Sequence, residues 1–407
     1  MFDRKEINYT LVCFFILTGF LFNLSIINFG ERGVPAYIAV VFMSTIISAS
    51  AFLKMPRFIG YLWVCLLLFL SVFFIQSVLV VGSLSTNFLQ LISRASLVFY
   101  AIAMFTLSWR LPNSKKEKFL NFITMLCILT ILFGIYEAFA IRIGLPVYHH
   151  IFANNPSFSQ AIVGVTNGWN ESYRIRGVWG EASYSSPFVF LVGSLIIFHL
   201  KNINSRFYCF FLLILLGFYS FFTFSRSVWF VYTVVFTYYW FYPRIFSLIN
   251  SSPKSFLYIY LMISILVLHS WVFLIGYYFD DISASGRASS VIIGFQIWMD
   301  NFWVGTGFNS FLEYSHMYST SNVDAGVEPV VHNWFFAMTQ QLGIFGLLII
   351  MILFKFLYKV CTKNVFFYIS FMWICIGSLQ DDISYFSIFW LSIFVGYLLK
   401  EDVYVAD

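Results

Sequence analysis

Ten consecutive residues, running Arg174-Ile-Arg-Gly-Val-Trp-Gly-Glu-Ala-Ser183, put two guanidinium groups, two glycines and a carboxylate into an otherwise apolar chain. Glycine lets a backbone turn tightly and come close to a ligand. Arg174 and Arg176 suit an anion. Glu181, just ahead of the next apolar run, suits proton acceptance or the orientation of a hydroxyl. The same spacing also fits a structural Arg–Glu pair closing a loop onto a helix N-terminus, where a carboxylate is favoured. Spacing leaves both readings open.

Three further elements carry polar chemistry. Ser225-Arg226 stands between two apolar runs with almost no room for a loop. A charge placed at the centre of a bilayer costs about 2.5–3.5 kcal/mol, so an arginine this close to hydrocarbon is a functional candidate or the mark of a tight interfacial turn. Gly286-Arg287 opens a long polar segment that continues through Asn301-Phe-Trp-Val-Gly-Thr-Gly-Phe-Asn309 and closes at His332-Asn333-Trp334. His332, with a side chain that titrates near neutrality, suits a proton acceptor or a phosphate partner, although a lone histidine at a helix start is more often a capping or packing residue. The Gly305-Thr306-Gly307 step follows no strand pattern, which excludes a dinucleotide fingerprint. Arg94 and Glu137, at or within apolar runs, could complement each other or line a cavity. His199 and His269 read as packed residues, and Asp280-Asp281 and Asp381-Asp382 as solvated loop ends. No metal-ligand or nucleotide-phosphate motif is present, and the six cysteines form no disulfide or zinc pattern.

These residues need a scaffold, and composition says which. A chain of 407 residues that is 60% hydrophobic and 10% charged has too few polar groups to cover a soluble surface. Its mean hydropathy of +0.85 fits a polytopic helical membrane protein. Long continuous apolar runs, rather than short alternating ones, exclude an outer-membrane barrel. The first run lacks a small-residue cleavage site, so it reads as a retained helix. The expected fold is all-α: a transmembrane bundle of about 12 helices, forming one integral-membrane domain over 1–407. The apolar runs predict helices near 8–29, 34–53, 58–81, 88–109, 119–142 and 186–200, then near 207–224, 227–242, 255–277, 333–354, 365–379 and 383–399.

Charge sets the orientation of these helices. Sixteen of the 23 cations, including all eleven lysines, fall at alternate loops, which makes those loops cytoplasmic and puts both termini on that side. The seven cations left over are all arginine: Arg32, Arg94, Arg142, Arg174, Arg176, Arg226 and Arg287. Topology does not distinguish lysine from arginine, so another cause is needed. A guanidinium keeps its charge where solvation is poor and grips phosphate oxygens through a two-pronged fork. Arg32 and Arg142 read more simply as snorkelling or paired side chains. Two non-cytoplasmic loops, 143–185 and 278–332, are far longer than the others; loops of that length are usually functional or disordered, and the aromatics in both argue against disorder. Within the second, 288–303 is apolar and ends in tryptophans, which predicts a helix lying in the membrane interface.

Taken in order, these elements resemble the O-antigen polymerase and O-antigen ligase superfamily of bacterial inner-membrane glycosyltransferases. The resemblance rests on Arg174 to Ser183, Ser225-Arg226, Gly286 through Asn309, and His332 leading to Gly346. Ala182 and Phe302 stand where relatives commonly have proline. The resemblance implies an inverting glycosyl transfer at the periplasmic face of the inner membrane, independent of metal, nucleotide sugar or any cofactor. The donor is then a glycan on undecaprenyl diphosphate and, for a polymerase, the acceptor is another lipid-linked repeat unit. Arg174, Arg176, Arg226 and Arg287 are expected to bind the pyrophosphate, and Glu181 or His332 to act as base. A polysaccharide chain-length regulator and a flippase are the expected protein partners, and nucleic acid is not a partner. Transfer of the glycan to lipid A-core by a ligase is the nearest alternative. A flippase or secondary transporter for lipid-linked oligosaccharide is an alternative of another class, disfavoured because the polar clusters gather at outward loops rather than at the bilayer midplane.

Overall fold

The computed structural model describes residues 9–21, 24–29, 32–35, 39–43, 46, 57, 59–79, 95–96, 98–107, 111, 113–147, 175, 177–179, 182–200, 206–251, 282–307, 310–318, 331–360 and 387–401. Almost all of them are helical. The elements are α1 (Tyr9–Phe20), α2 (Ile59–Leu79), α3 (Asn113–Ile143), α4 (Ser186–Leu200), α5 (Arg206–Phe222), α6 (Arg226–Ser251), α7 (Ile282–Asp300), α8 (Phe311–Tyr318), α9 (Trp334–Leu342), α10 (Ile344–Val360) and α11 (Ser387–Glu401). A further apolar helical stretch covers Val98–Leu107. The predicted helices at 255–277 and 365–379 lie outside the described residues.

Two predictions need correction. The first apolar run was expected to be helical to residue 29, but α1 stops at Phe20 and the chain forms an antiparallel hairpin, β1 (Ser25–Phe29) with β2 (Arg32–Pro35). Phe29 pairs with Arg32, and β-branched Ile26 and Ile27 favour extended backbone. Hydrophobicity alone does not separate a short buried strand from a helix. Likewise, the helix expected over 333–354 is broken into α9 and α10 at Gly343, whose φ is 60°.

The described residues fall into two compact units. One lies within Met1–Met55, Phe99–Ile245 and Phe386–Asp407; the other lies within Pro56–Val98 and Phe246–Tyr385. In the first, α4 is the core helix: every residue from Ser186 to Ile197 is buried. A helix that is apolar all round belongs in an interior, and here α11, α5 and α3 surround it. Gly193 provides the closest approach, because a Cβ there would lie 2.5 Å from Val235 Cγ2 on α6. Edge-on aromatic pairs such as Phe105–Phe394, at 5.6 Å, and Phe119–Phe394, at 6.0 Å, fill the space between α11 and its neighbours.

The outward faces are as apolar as the inward ones. On α5 the buried side holds Leu212, Leu216 and Tyr219, whereas Phe207, Phe211, Ile214 and Phe218 are exposed. On α3 the exposed stripe runs through Met125, Leu129, Leu132, Tyr136 and Phe139. Leaving such a side chain in water forgoes roughly 1.5–3 kcal/mol, and stripes of this size mark a surface made for a non-aqueous neighbour. Among the described residues one helix, Lys115–Ile143, is long and apolar enough to cross a membrane.

In the second unit, α7 packs on α9 and α8, α9 on α10, and α10 on α2. Its apolar centre is Ile293, Ile297, Phe311, Val331 and Ala337, with Tyr314, Tyr318 and Phe336 against it. Gly305 and Gly343 meet backbone to backbone. A Cβ on Gly305 would lie 2.6 Å from Gly343 N, and one on Gly343 would lie 2.6 Å from Gly305 N, with both residues at positive φ. Nearby, the Tyr318 hydroxyl donates to the Asp300 carboxylate at 2.5 Å, and this bond, with a smaller contribution from burial, pushes the Tyr318 phenol up to about 12.

Replacing Gly305 or Gly343 by alanine is expected to destabilise the protein by at least roughly 1–3 kcal/mol, read as a lowered thermal midpoint in detergent. Gly60→Ala, in a helical position with open space around it, should be neutral or slightly stabilising. For Tyr318, a raised folded-state pKa favours the protonated form in the fold. Its contribution is therefore whole below the unfolded tyrosine pKa of about 10 and is lost as the pH rises through about 12. Comparing alkaline unfolding of the wild type with Tyr318→Phe should show that the variant lacks this component of the pH slope.

Candidate active site

Between α3 and α4 the chain carries the first polar element, and helices on either side hold its described residues. The Ile175 N–H donates to the Phe222 carbonyl at the end of α5, at 3.2 Å. Gly177, at φ 61°, donates its N–H to Glu137 Oε2 of α3 at 2.5 Å. The Trp179 indole N–H donates to the Tyr219 hydroxyl at 3.1 Å, and its ring sits 5.5 Å from that of Phe188. Gly134 and Gly177 make this packing possible, since a side chain on Gly134 would collide with the Tyr219 ring and one on Gly177 would press on its hydroxyl. Ile175, Gly177 and Trp179 are thus held by α3 and α5. Arg174, Arg176 and Glu181 lie outside the described residues. Arg94, the partner first considered for Glu137, does too.

A short 3₁₀ turn, Ala182–Ser185, leads into α4, and Ser185 Oγ donates to the Ala182 carbonyl. The start of α4 meets the start of α6. Ser186 Oγ donates to Ser227 Oγ at 3.3 Å, and Ser227 Oγ lies 2.9 Å from Ser225 Oγ. The Ser225 carbonyl accepts from Trp229 N–H and so opens α6, with Arg226 as its first residue; the Arg226 side chain lies outside what is described. The link from α5 to α6 is only three residues long. Phe224 takes φ 45°, and the Ser220 carbonyl accepts from both Thr223 Oγ1 and the Trp229 indole N–H. Helix N-termini carry partial positive charge and free N–H groups. Two of them side by side, joined by three serine hydroxyls, form ground that favours an anion.

In the second unit the structure brings Arg287 and His332 onto one small device. The helix expected from 288 begins at Ile282, so Arg287 is helical rather than in a loop, and it is half-buried. Ser290 Oγ donates to the Arg287 carbonyl at 2.8 Å and accepts the His332 backbone N–H at 3.2 Å. His332 is buried, and its neighbour Val331 sits on Gly294, where a Cβ would come within 2.9 Å of a valine methyl. Asn333 is the N-cap of α9: its side chain accepts from Phe336 N–H at 3.2 Å. The His-Asn element therefore divides its labour, with the asparagine starting a helix and the histidine suspended beside α7.

The Gly-Thr-Gly step has a structural explanation as well. Thr306 N–H and Gly307 N–H donate to the carbonyls of Gln340 and Gln341, at 3.0 and 3.1 Å, and Ile344 N–H returns a bond to the Phe302 carbonyl at 2.9 Å. The amide of Gln340 donates to Thr306 Oγ1 and Ser310 Oγ. These backbone donors close the open end of α9 and leave the loop as a clasp rather than a phosphate cradle.

Sequence reasoning missed Ser186, Ser227 and Ser290. Ser290 is one of four serines in α7, with nothing in its spacing to single it out, and the serines at the two helix starts meet across 41 residues of chain, which no local spacing reveals. Arg142, one of the seven unassigned arginines, is engaged structurally: its guanidinium donates to the Ala138 carbonyl at 2.6 Å and lies 4.9 Å from the centre of the Phe222 ring.

Comparison with curated proteins found no match. Residues 186–351 match the family model described as O-antigen ligase, a stretch that runs from the first residue of α4 into α10 and contains Arg226, Arg287 and His332. Over these residues the chain is similar to the O-antigen ligase family, which supports a place in the O-antigen ligase and polymerase superfamily of glycosyltransferase-like, membrane-associated bacterial enzymes.

Proposed function

We propose that the protein is a surface-polysaccharide polymerase that joins undecaprenyl-diphosphate-linked repeat units. The domain match over 186–351 supports the glycan-transfer class of this reading, and its span contains Arg226, Arg287 and His332, three of the residues proposed for the chemistry. In the proposed setting the chain crosses the bacterial inner membrane about twelve times. Both termini are cytoplasmic, and the loops 143–185 and 278–332 face the periplasm as parts of one integral-membrane domain. The apolar exposed stripes of α3 and α5 support a bilayer around the helices.

In the proposed reaction an acceptor sugar hydroxyl attacks the anomeric carbon of the donor with inversion. The bond from that carbon to the diphosphate breaks, and undecaprenyl diphosphate leaves with the electron pair. Guanidinium groups of Arg174, Arg176, Arg226 and Arg287 stabilise the charge that grows on the leaving group. The hydroxyl proton passes to Glu181 or His332. Holding two lipid-linked substrates together lowers the barrier further through proximity. A flippase that delivers the units and a regulator of chain length are the partners this function calls for.

A ligase that moves the glycan onto lipid A-core is the second reading, favoured by the printed description of the matching family. Deleting the gene separates the two. Loss of the polymerase leaves lipopolysaccharide capped by a single repeat unit, whereas loss of a ligase leaves bare core and accumulating lipid-linked glycan. A full ladder surviving the deletion would exclude the polymerase.

Purified protein given a synthetic lipid-linked repeat should make longer products without ATP or nucleotide sugar. Movement of the lipid across the bilayer with no new glycosidic bond would instead mean a transporter. Arg226→Lys and Arg287→Lys should each lower kcat/KM by roughly ten-fold or more, since lysine keeps the charge but loses the two-pronged contact. Wild-type rates in both lysine variants would remove these residues from the pyrophosphate site.

A further inference from the structure

Away from the proposed machinery, the second unit gathers cations where α10 packs on α2. Lys355 Nζ lies 5.7 Å and Lys359 Nζ 5.0 Å from the centre of the same ring, that of Tyr61 in the first turn of α2. Arg57 is exposed just ahead of that helix, and its carbonyl accepts the Gly60 N–H at 3.2 Å. Both lysines are exposed, so their ammonium groups can meet a ligand.

Simpler causes account for only part of this cluster. A cation is favoured in the last turn of a helix, where Lys359 stands, but Lys355 comes a turn earlier. A bias of cations to one side of a membrane needs charge alone and gives no reason for two ammonium groups to share one aromatic face. Like charges four residues apart on a helix repel, so this pairing suits a place that receives an anion. A lysine ammonium has three donors, and contact with a ring face leaves donors for phosphate oxygens.

The surfaces leading away from the cluster say which anion fits. Back along α10 from Lys355 the exposed residues are Met351 and Leu348. Forward along α2 from Tyr61 they are Val64 and Leu67. Because α10 ends where α2 begins, both apolar faces extend from the cluster in the same direction. A cationic head followed by an apolar flank matches a phosphate headgroup with acyl chains, whereas a soluble phosphate has no use for the apolar part. Basic pockets between helices on the lysine-rich side of a membrane take anionic headgroups in this way.

We infer that Lys355, Lys359 and Tyr61 form a binding site for the headgroup of an anionic phospholipid of the surrounding bilayer, on the side that carries the lysines. The site lies outside the transfer reaction and rests only on the membrane setting proposed above.

The test uses full-length protein in neutral detergent micelles, titrated with phosphatidylglycerol or phosphatidylcholine, with bound lipid counted by native mass spectrometry. Wild type should bind phosphatidylglycerol in preference to phosphatidylcholine. Combining Lys355→Gln with Lys359→Gln should weaken phosphatidylglycerol binding about ten-fold or more. Combining Lys355→Arg with Lys359→Arg should keep it within about three-fold of wild type, because the charge remains. Tyr61→Leu should weaken binding several-fold although both lysines are still present. A control pair, Lys115→Gln with Lys118→Gln on α3, removes the same charge at another helix end and should leave binding close to wild type. Equal loss in the control pair would overturn the site, as would wild-type binding in the Lys355→Gln and Lys359→Gln pair or in Tyr61→Leu. Equal binding of the two lipids by wild type, or displacement of phosphatidylglycerol by inorganic phosphate, would overturn it too. Protein that stays in solution without detergent and takes up neither lipid would instead remove the membrane setting itself.

Discussion

A backbone that leaves the helix among apolar neighbours must still bond its N–H and carbonyl groups, and this constraint governs three breaks among the described residues. At Ile175 and Gly177 the bonds come from the Phe222 carbonyl and the Glu137 carboxylate. At the link from α5 to α6 the Ser220 carbonyl receives two side-chain donors, and Ser225 begins the next helix. Between α9 and α10 the chain borrows donors from Gly305-Thr306-Gly307, and two glycines at positive φ let the backbones touch. In each case the backbone bonds named here serve the break before any chemistry is considered.

The same constraint gathers the residues that chemistry would use. A helix start brings free N–H groups and a favourable potential for anions. The starts of α4 and α6 lie together at Ser186, Ser225 and Ser227, with Arg226 opening α6. In the other unit, Ser290 ties a turn of α7 to the chain just ahead of α9, so the backbones of Arg287 and His332 are fixed through one hydroxyl. A rigid break is thus also a place where a guanidinium or an imidazole can be held in register. The arginines themselves divide by position: Arg142 closes the last turn of α3 and lies over Phe222, so residue type nominates an arginine and local geometry decides what it does.

Much of the helical scaffold was legible in the residues, because a helix that crosses an apolar region must be continuously apolar for about 20 residues. The run at 186–200 matches α4 at both ends, where Ser186-Pro187 suits a first turn. Ser225-Arg226 falls at the start of α6 as its spacing implied. The charge pattern singled out arginine over lysine without any coordinates, since a count along the chain needs no contacts. The hairpin after α1 and the break at Gly343 were not legible, because hydropathy is blind to a strand within an apolar run and to a glycine whose φ is set by a second glycine 38 positions earlier.

By itself, then, the sequence determined the helical class, the positions of most described helices and the identity of the polar elements, all of which depend on local composition and period. Only the tertiary structure decided which of those elements are joined. Glu137 receives Gly177 across 40 residues and His332 hangs on Ser290 across 42. Two serine-rich helix starts meet, and the Gly-Thr-Gly loop spends its donors on a helix end. Each of these depends on packing between segments far apart in the chain, where a single hydrogen bond selects one pair among many with the same chemistry.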